Sequence, residues 1–303
     1  MAGWTEEHVP HVTEGCLAVV TGANTGLGLA TTRVLAQRGA TVVMACRNQE
    51  KAGAARRSLI DRGIAPARLR TASLDLADQS SITALAEELA DDRIDLLINN
   101  AGLMAVPESR TVDGFETQFG VNHLGHMALT LRLLPRLNAT PGARVVTLTS
   151  MGHRLGRIRL DDPNFRRGRY NRWTAYFQSK LANMLFAAEL ARRNAGRGAL
   201  SMAAHPGYAA TELGKDTGMQ ARALSVFDKV AAQPASAGAW PTLRAATDPT
   251  ALNGTLYGPR RLVFGTAVPE TPSRTALQED LAVRLWDLSL HLLSPAKVTD
   301  PLA

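Results

Sequence analysis

Tyr176 and Lys180 stand four residues apart in the run WTAYFQSKLANMLF. On a helix that spacing puts both side chains on one face, one turn apart. A free phenol titrates near pH ~10, and an ammonium group beside it favours the phenolate, bringing proton exchange closer to neutrality. The pair therefore suits general acid–base work on an oxygen: giving a proton as charge develops there, or taking one from a hydroxyl. The same two residues also describe a surface tyrosine lying on a lysine stem, so their meaning depends on the elements that position them.

Upstream, the run CLAVVTGANTGLGLATTRVLAQRGATVVMACR reads as a buried strand over 17–20, a glycine-rich turn, an amphipathic helix and a second strand over 42–46. This is the opening of a βαβ unit. The turn, T-G-A-N-T-G-L-G at 21–28, carries Gly22, Gly26 and Gly28. Glycine serves here because the backbone must turn tightly, approach a pyrophosphate closely and let helix pack on strand. The helix N-terminus that follows directs its N–H groups at the phosphates.

The second strand bears on which nucleotide is bound. Where NAD binders place an acid for the ribose 2′-hydroxyl, this chain reads Ala45-Cys46-Arg47-Asn48. A guanidinium suits a 2′-phosphate, which it grips with parallel hydrogen bonds, so the position of Arg47 points to NADP(H) over NAD(H). The plainer alternative for Arg47 is one more solvated arginine.

Later strands supply further groups at their carboxyl ends, where ligands of open α/β sheets bind. A strand over 69–76 carries Asp75, placed either to meet an adenine amino group or to cap the next helix. The strand 94–98 runs into Asn99-Asn100-Ala101-Gly102, small and amide residues that admit a ribose and brace neighbouring strands. The strand 145–150 ends in the hydroxyl of Ser150. A last strand, 200–204, leads to His205-Pro206-Gly207 and to Thr211, whose hydroxyl is placed for a nicotinamide amide or a phosphate.

With these residues in view, the chain resembles the short-chain dehydrogenase/reductase family, and within it the retinol dehydrogenase-like branch. The resemblance runs over residues 4–259. It rests, beyond the glycine turn, on N-N-A-G (99–102), V-N-H-L-G-H (121–126), V-T-L-T-S-M-G-H (146–153), Y-F-Q-S-K-L-A-N (176–183) and H-P-G-Y-A-A-T (205–211). It implies a doubly wound α/β Rossmann fold, with a mostly parallel central sheet flanked by helices on both faces. It implies catalysis by an Asn-Ser-Tyr-Lys tetrad, which by motif falls on Asn122, Ser150, Tyr176 and Lys180. Tyr176 then exchanges the proton, Ser150 holds the substrate oxygen, and Asn122, on a helix expected over 115–137, keeps a water near Lys180. A satisfied core asparagine is the alternative for Asn122. Cofactor contacts are implied for Gly22, Asn24, Thr25, Gly26, Leu27 and Gly28, for Arg47, Asp75 and Leu76, and for 99–102. Asn122, Tyr176, Lys180, Pro206, Gly207 and Thr211 complete that set. The 26 residues between Ser150 and Tyr176 make a longer segment than many members have, a length typical of this branch.

A chain of 303 residues, 45% apolar, has ample material for one α/β domain. It is read as a single NADP(H)-binding domain over 1–303, with a polar lead (1–14), an insert (151–174), a substrate-side segment (211–233) and a C-terminal extension (260–303). Cys16 and Cys46 begin and end neighbouring strands, roughly 16 Å apart, too far for a disulfide, and read as reduced core residues. Residues 1–12 are polar and no uncharged stretch suits a membrane span, so a cytoplasmic protein is expected. Residues 276–293 are apolar at helical spacing, suiting a helix that closes the substrate cleft or packs on the core, with a membrane-surface helix as the alternative. The net charge of +7 and seven arginines over 154–172 come with no nucleic-acid motif, so no nucleic-acid partner is expected. No metal site is expected either. Oligomeric state stays open, since helices that pair subunits are apolar in a monomer too.

The function expected is NADP(H)-dependent interconversion of a hydrophobic alcohol and its ketone or aldehyde. Two other readings stand beside it: a redox-neutral epimerisation or dehydration on the same scaffold, and a non-catalytic nucleotide-binding regulator. An intact tetrad speaks against the last, because a binding module has no use for a phenol beside an ammonium group.

Overall fold

The computed structural model describes residues 3–12, 15–208 and 233–302; Thr211 and most of the segment 211–233 lie outside them. One eight-stranded sheet organises the chain. Its strands are β1 (Leu17–Thr21), β2 (Thr41–Cys46), β3 (Leu69–Ser73), β4 (Leu96–Asn99), β5 (Arg144–Leu148), β6 (Leu200–Ala204), β7 (Leu256–Pro259) and β8 (Ala267–Glu270). They lie in the order β3-β2-β1-β4-β5-β6-β7-β8. All neighbours run parallel except β7 and β8, which pair antiparallel. The order reverses between β1 and β4, and that crevice is where such sheets receive ligands.

Parallel strands buried on both faces favour apolar residues at successive positions, and β1 has four in a row: Leu17 and Val19 enter one core, Ala18 and Val20 the other. The helices are α1 (Gly26–Gln37), α2 (Gln49–Asp61), α3 (Gln79–Glu88), α4 (Gly125–Ala139), α5 (Arg172–Arg193), α6 (Trp240–Thr247) and α7 (Glu279–Leu293). Residues of α1, α2 and α6 fill the core on the Ala18 side, and those of α3, α4, α5 and α7 fill the other. This is the doubly wound, mostly parallel fold expected.

The strand ends differ from the sequence reading in ways that matter to the site. The strand expected over 69–76 stops at Ser73, because the Asp75 N–H turns to the Ser81 hydroxyl (2.9 Å). The strand expected over 145–150 stops at Leu148, leaving Ser150 to start a 3-10 turn, Met151–Leu155. The helix expected over 115–137 is also broken. A short turn at Thr117–Phe119 gives way to a π-helical turn, Gly120–Leu124, before α4 begins. Such turns inside helices occur often at functional sites, and this one carries Asn122.

The C-terminal helix packs on the core. Ala282, Leu285, Trp286, Ser289 and Leu293 of α7 are buried, and Trp286 stacks on Phe186 of α5 at 5.7 Å. Leu277, counted in the expected apolar stripe, precedes the helix and is 60% exposed. Cys16 and Cys46 are free and buried, and burial pushes the Cys16 thiol up to about 11, consistent with inert core thiols. Among the described residues no helix is long and apolar enough to cross a membrane.

Candidate active site

The glycine turn forms one wall of a cleft at the β1–β4 crevice. Gly22 and Gly26 sit at φ +64° and +53°, a conformation side chains disfavour. A Cβ on Gly28 would run into the Gly22 carbonyl and the Asn100 amide, so the turn closes only with glycine there. Asn100 donates through Nδ2 to the Thr21 carbonyl at 2.7 Å, and the N–H groups of Asn100 and Ala101 both reach Thr21 Oγ1 at 2.9 Å. Asn99 Nδ2 donates to the Thr130 hydroxyl at 2.9 Å. The bracing expected of this segment is thus present, and it sets the end of β4 against the start of the turn.

The cleft, of about 390 Å³, is lined by Gly22, Asn24, Thr25, Gly26, Leu27 and Gly28, by Arg47, by Asp75 and Leu76, and by 100–102. Lys51, Asn48, Met104, Val106 and Pro107 also line it and escaped the sequence reading. Asn48 caps α2 by accepting the Lys51 N–H (2.8 Å), so Lys51 rides the first turn of that helix beside Arg47. The cap followed by a lysine was the available signal. Asp75 does not cap α3. Asp78 does, through the Ser80 N–H (2.8 Å), while Asp75 Oδ1 accepts from the Ala77 N–H (2.9 Å). A glycine-rich cradle, a helix N-terminus and two cations together suit a polyanionic nucleotide.

Gly102 joins this cleft to the acid–base groups. A Cβ there would lie 3.2 Å from Asn122 Oδ1 and 3.4 Å from Lys180 Nζ. Asn171 caps α5 by accepting the Trp173 and Thr174 N–H groups (3.0 Å each), which sets Tyr176 and Lys180 on successive turns facing the end of β5. Thr149 donates to the Lys180 carbonyl (2.7 Å) and Asn183 Nδ2 to the Leu148 carbonyl (2.9 Å), stitching strand end to helix. The Ser150 side chain stands beside the Tyr176 phenol and acts to lower it. The structure therefore brings Asn122, Ser150, Tyr176 and Lys180 together at the edge of the cleft.

The electrostatics depart from the simple pair. Burial raises the Tyr176 phenol above its usual range, and Ser150 works against that rise. Lys180 Nζ lies 6.0 Å from the phenol ring centroid and donates to the Leu148 carbonyl at 3.3 Å. In the protein alone, then, the ammonium does not bring the phenol toward neutrality as the spacing suggested. Burial instead pushes Lys180 down to about 8.

That shift has a stability consequence. An unfolded lysine titrates near ~10.4, so below pH 8 the buried ammonium costs the fold on the order of 3 kcal/mol. The cost fades as pH climbs from about 8 toward ~10.4. Lys180→Met is expected to raise Tm by a few degrees at pH 7, with the gain shrinking toward pH 10. The Leu148 carbonyl keeps its bond from Asn183 in the variant. Thermal melts of both proteins from pH 6 to 10, without nucleotide, check this. A wild type that is the more stable at pH 7 would contradict it.

Asn122 is more fully committed than expected. Its Oδ1 accepts from the Leu103 N–H (2.8 Å), and Nδ2 donates to the Leu103 carbonyl and the Ser179 hydroxyl (2.9 Å each). Its backbone carbonyl accepts from His126 Nδ1 (3.0 Å), whose Nε2 pairs with Thr21 Oγ1 (2.9 Å). Burial pushes His126 down to about 4, which keeps it neutral. This imidazole ties the π-turn to the residue before the glycine turn, a role that its place in V-N-H-L-G-H did not reveal. At the far wall, Gly207 sits at φ +67° and the Pro206 carbonyl accepts from Gln233 Nε2 (2.7 Å). Thr211 lies outside the described residues.

Known proteins resemble this chain in sequence and in fold. The family model described as short chain dehydrogenase matches residues 17–221. Retinol dehydrogenase 13 of Mus musculus is 39% identical over 296 residues, covering 93% of this chain and 85% of that protein. A crystal structure from Mycobacterium paratuberculosis is similar with 44% identity and a TM-score of 0.82, over 99% of this chain and 100% of that one. A candidate NAD(P)-dependent gluconate 5-dehydrogenase from Beutenbergia cavernae, solved with NADP at low occupancy, is 26% identical with a TM-score of 0.64, over 82% of this chain and 96% of that one.

Proposed function

As this chain belongs to the short-chain dehydrogenase/reductase family, in its retinol dehydrogenase-like branch, we propose that it interconverts a hydrophobic alcohol and its ketone or aldehyde, using NADP(H) in preference to NAD(H). The carrying observation is the buried phenol of Tyr176, with Ser150 and Lys180 beside it, where a glycine-walled cleft edged by Arg47 and Lys51 ends. Bound nicotinamide supplies or accepts the hydride.

The chain's own residues handle orientation and the proton. Tyr176 gives its proton to the carbonyl oxygen in reduction and takes one from the alcohol in oxidation. Ser150 hydrogen-bonds that oxygen as charge develops. Lys180 holds ribose hydroxyls and, with the positive nicotinamide ring of the oxidised cofactor, lowers a phenol that burial alone raises. Since the Asn122 side chain is spent on Leu103 and Ser179, the second lone pair of its backbone carbonyl, beside the bond from His126 Nδ1, is left to seat a relay water near Lys180. Arg47, with Lys51 beside it, grips the 2′-phosphate. The aromatic neighbours of Tyr176 favour an apolar substrate: Trp173 meets its ring edge-on at 6.3 Å and Phe177 lies 5.9 Å away.

Steady-state NADPH oxidation against aldehydes and ketones of graded chain length tests this reading. The expected result is turnover whose kcat/KM rises with apolar surface. Product formation with no net NADPH consumption would favour a redox-neutral reaction on the same residues.

A further inference from the structure

Two imidazoles with no part in the proton transfer flank its residues. His153 follows Ser150 by three positions; its Nδ1 donates to the Ser150 carbonyl (2.7 Å), and its Nε2 accepts from the Ser273 N–H (3.3 Å). His205 opens the Pro206-Gly207 turn. Its Nδ1 accepts from the Gly207 N–H (3.2 Å), which leaves the ring proton on Nε2, and Nε2 donates to Glu270 Oε2 at 2.6 Å. Each tautomer is thus set by a backbone group, and the two are opposite.

Glu270 receives a second arm. Arg154, in the turn that Ser150 begins, donates through Nη2 to Glu270 Oε1 (2.5 Å) and to the Thr271 carbonyl (3.0 Å). The carboxylate therefore joins the turn after β5 to the turn after β6, and both to the last residue of β8. Its side chain is 12% exposed and that of His205 is 0% exposed. Burial by itself would raise the Glu270 carboxyl, but the bonds from His205 and Arg154 hold it below the usual carboxylate range. Gly258 on β7 leaves the room: a Cβ there would land on Glu270 Oε2 and His205 Nε2.

We propose that Glu270 is a positioning residue that clamps the Ser150 turn and the Pro206-Gly207 turn to the β7–β8 hairpin, fixing the two walls between which the nicotinamide ring and the substrate carbonyl must fit. This rests on the nicotinamide reading of the site. On that reading the adenine, the 2′-phosphate and the pyrophosphate would be held by the glycine turn and Arg47, and none of the clamp residues lines that cleft.

The test compares NADPH with 2′-phospho-ADP-ribose, which lacks only the nicotinamide. Glu270→Gln keeps the shape but cannot accept from both donors. It is expected to weaken NADPH binding by roughly tenfold and to lower kcat by roughly tenfold or more, the effect of one lost charged hydrogen bond. Binding of 2′-phospho-ADP-ribose should stay within about twofold of wild type. Arg154→Met cuts one arm at a half-exposed residue, and should lower kcat more than it weakens NADPH. Equal weakening of both ligands would mean a general loosening of the fold and overturn the clamp, as would unchanged kcat and NADPH affinity in both variants. A wild type that binds ADP-ribose as tightly as 2′-phospho-ADP-ribose would instead strike the NADP preference. The clamp would then be judged in the same way from NADH against ADP-ribose.

Discussion

Tyr176→Phe is expected to lower kcat by roughly 10²–10⁴-fold, the usual worth of a positioned proton donor, while NADPH affinity changes little. The substitution removes one hydroxyl and no group that lines the nucleotide cleft. The ring keeps its packing against Trp173 and Phe177. The Ser150 oxygen left behind still accepts the Gly152 N–H at 3.1 Å, so no buried polar atom is stranded. Stopped-flow turnover together with cofactor titration by fluorescence separates the two quantities. A variant retaining a tenth or more of wild-type kcat would remove Tyr176 from the proton step.

Arg47→Asp is expected to reverse cofactor choice. Arg47 is exposed at the cleft edge, directly after β2, so the change should leave the fold intact. It replaces a bidentate, charge-assisted contact to a 2′-phosphate with like-charge repulsion, acting on both sides of the discrimination. Lost charged hydrogen bonds of ~1.5–3 kcal/mol, joined by repulsion, predict NADPH weakened by about a hundredfold. NADH should hold or improve, because an aspartate accepts bonds from free ribose hydroxyls. Lys51, on the same edge, softens the loss, so Lys51→Ala on its own should weaken NADPH less, by roughly three- to tenfold. Ratios of kcat/KM for the two cofactors on wild type and variant decide the matter. A wild type that prefers NADH, with a ratio indifferent to the change, would contradict the assignment of Arg47.

Strands β1 to β6 were legible, most of them as apolar runs, whereas β7 and β8, four residues each, were not read from the sequence. Gly22, Gly26 and Gly28 could be placed in detail, since only a close approach of backbone to ligand and of helix to strand requires all three. What the sequence concealed depends on tertiary contacts. The π-turn around Asn122 has no local pattern to mark it. The commitment of its amide to Leu103 and Ser179 joins positions 19 and 57 residues away. Electrostatics were misread for the same reason: the spacing of Tyr176 and Lys180 reports proximity, while burial and the Leu148 carbonyl decide where the ammonium points and how both groups titrate. His126 of V-N-H-L-G-H and His205 of H-P-G acquire meaning only through Thr21 and Glu270, each far away in sequence.

The central claim, hydride transfer with the proton delivered by Tyr176, is met most directly by isotope. Wild-type protein is incubated with NADPH deuterated at C4, each epimer in turn, and with the aldehyde or ketone that gives the highest kcat/KM. The alcohol formed is then weighed by mass spectrometry. One epimer is expected to deliver one deuterium to each alcohol molecule, in step with NADP⁺ formed, and Tyr176→Phe to deliver almost none while still binding NADPH. Product that carries no deuterium from either epimer, formed while NADPH is left unoxidised, would contradict the account.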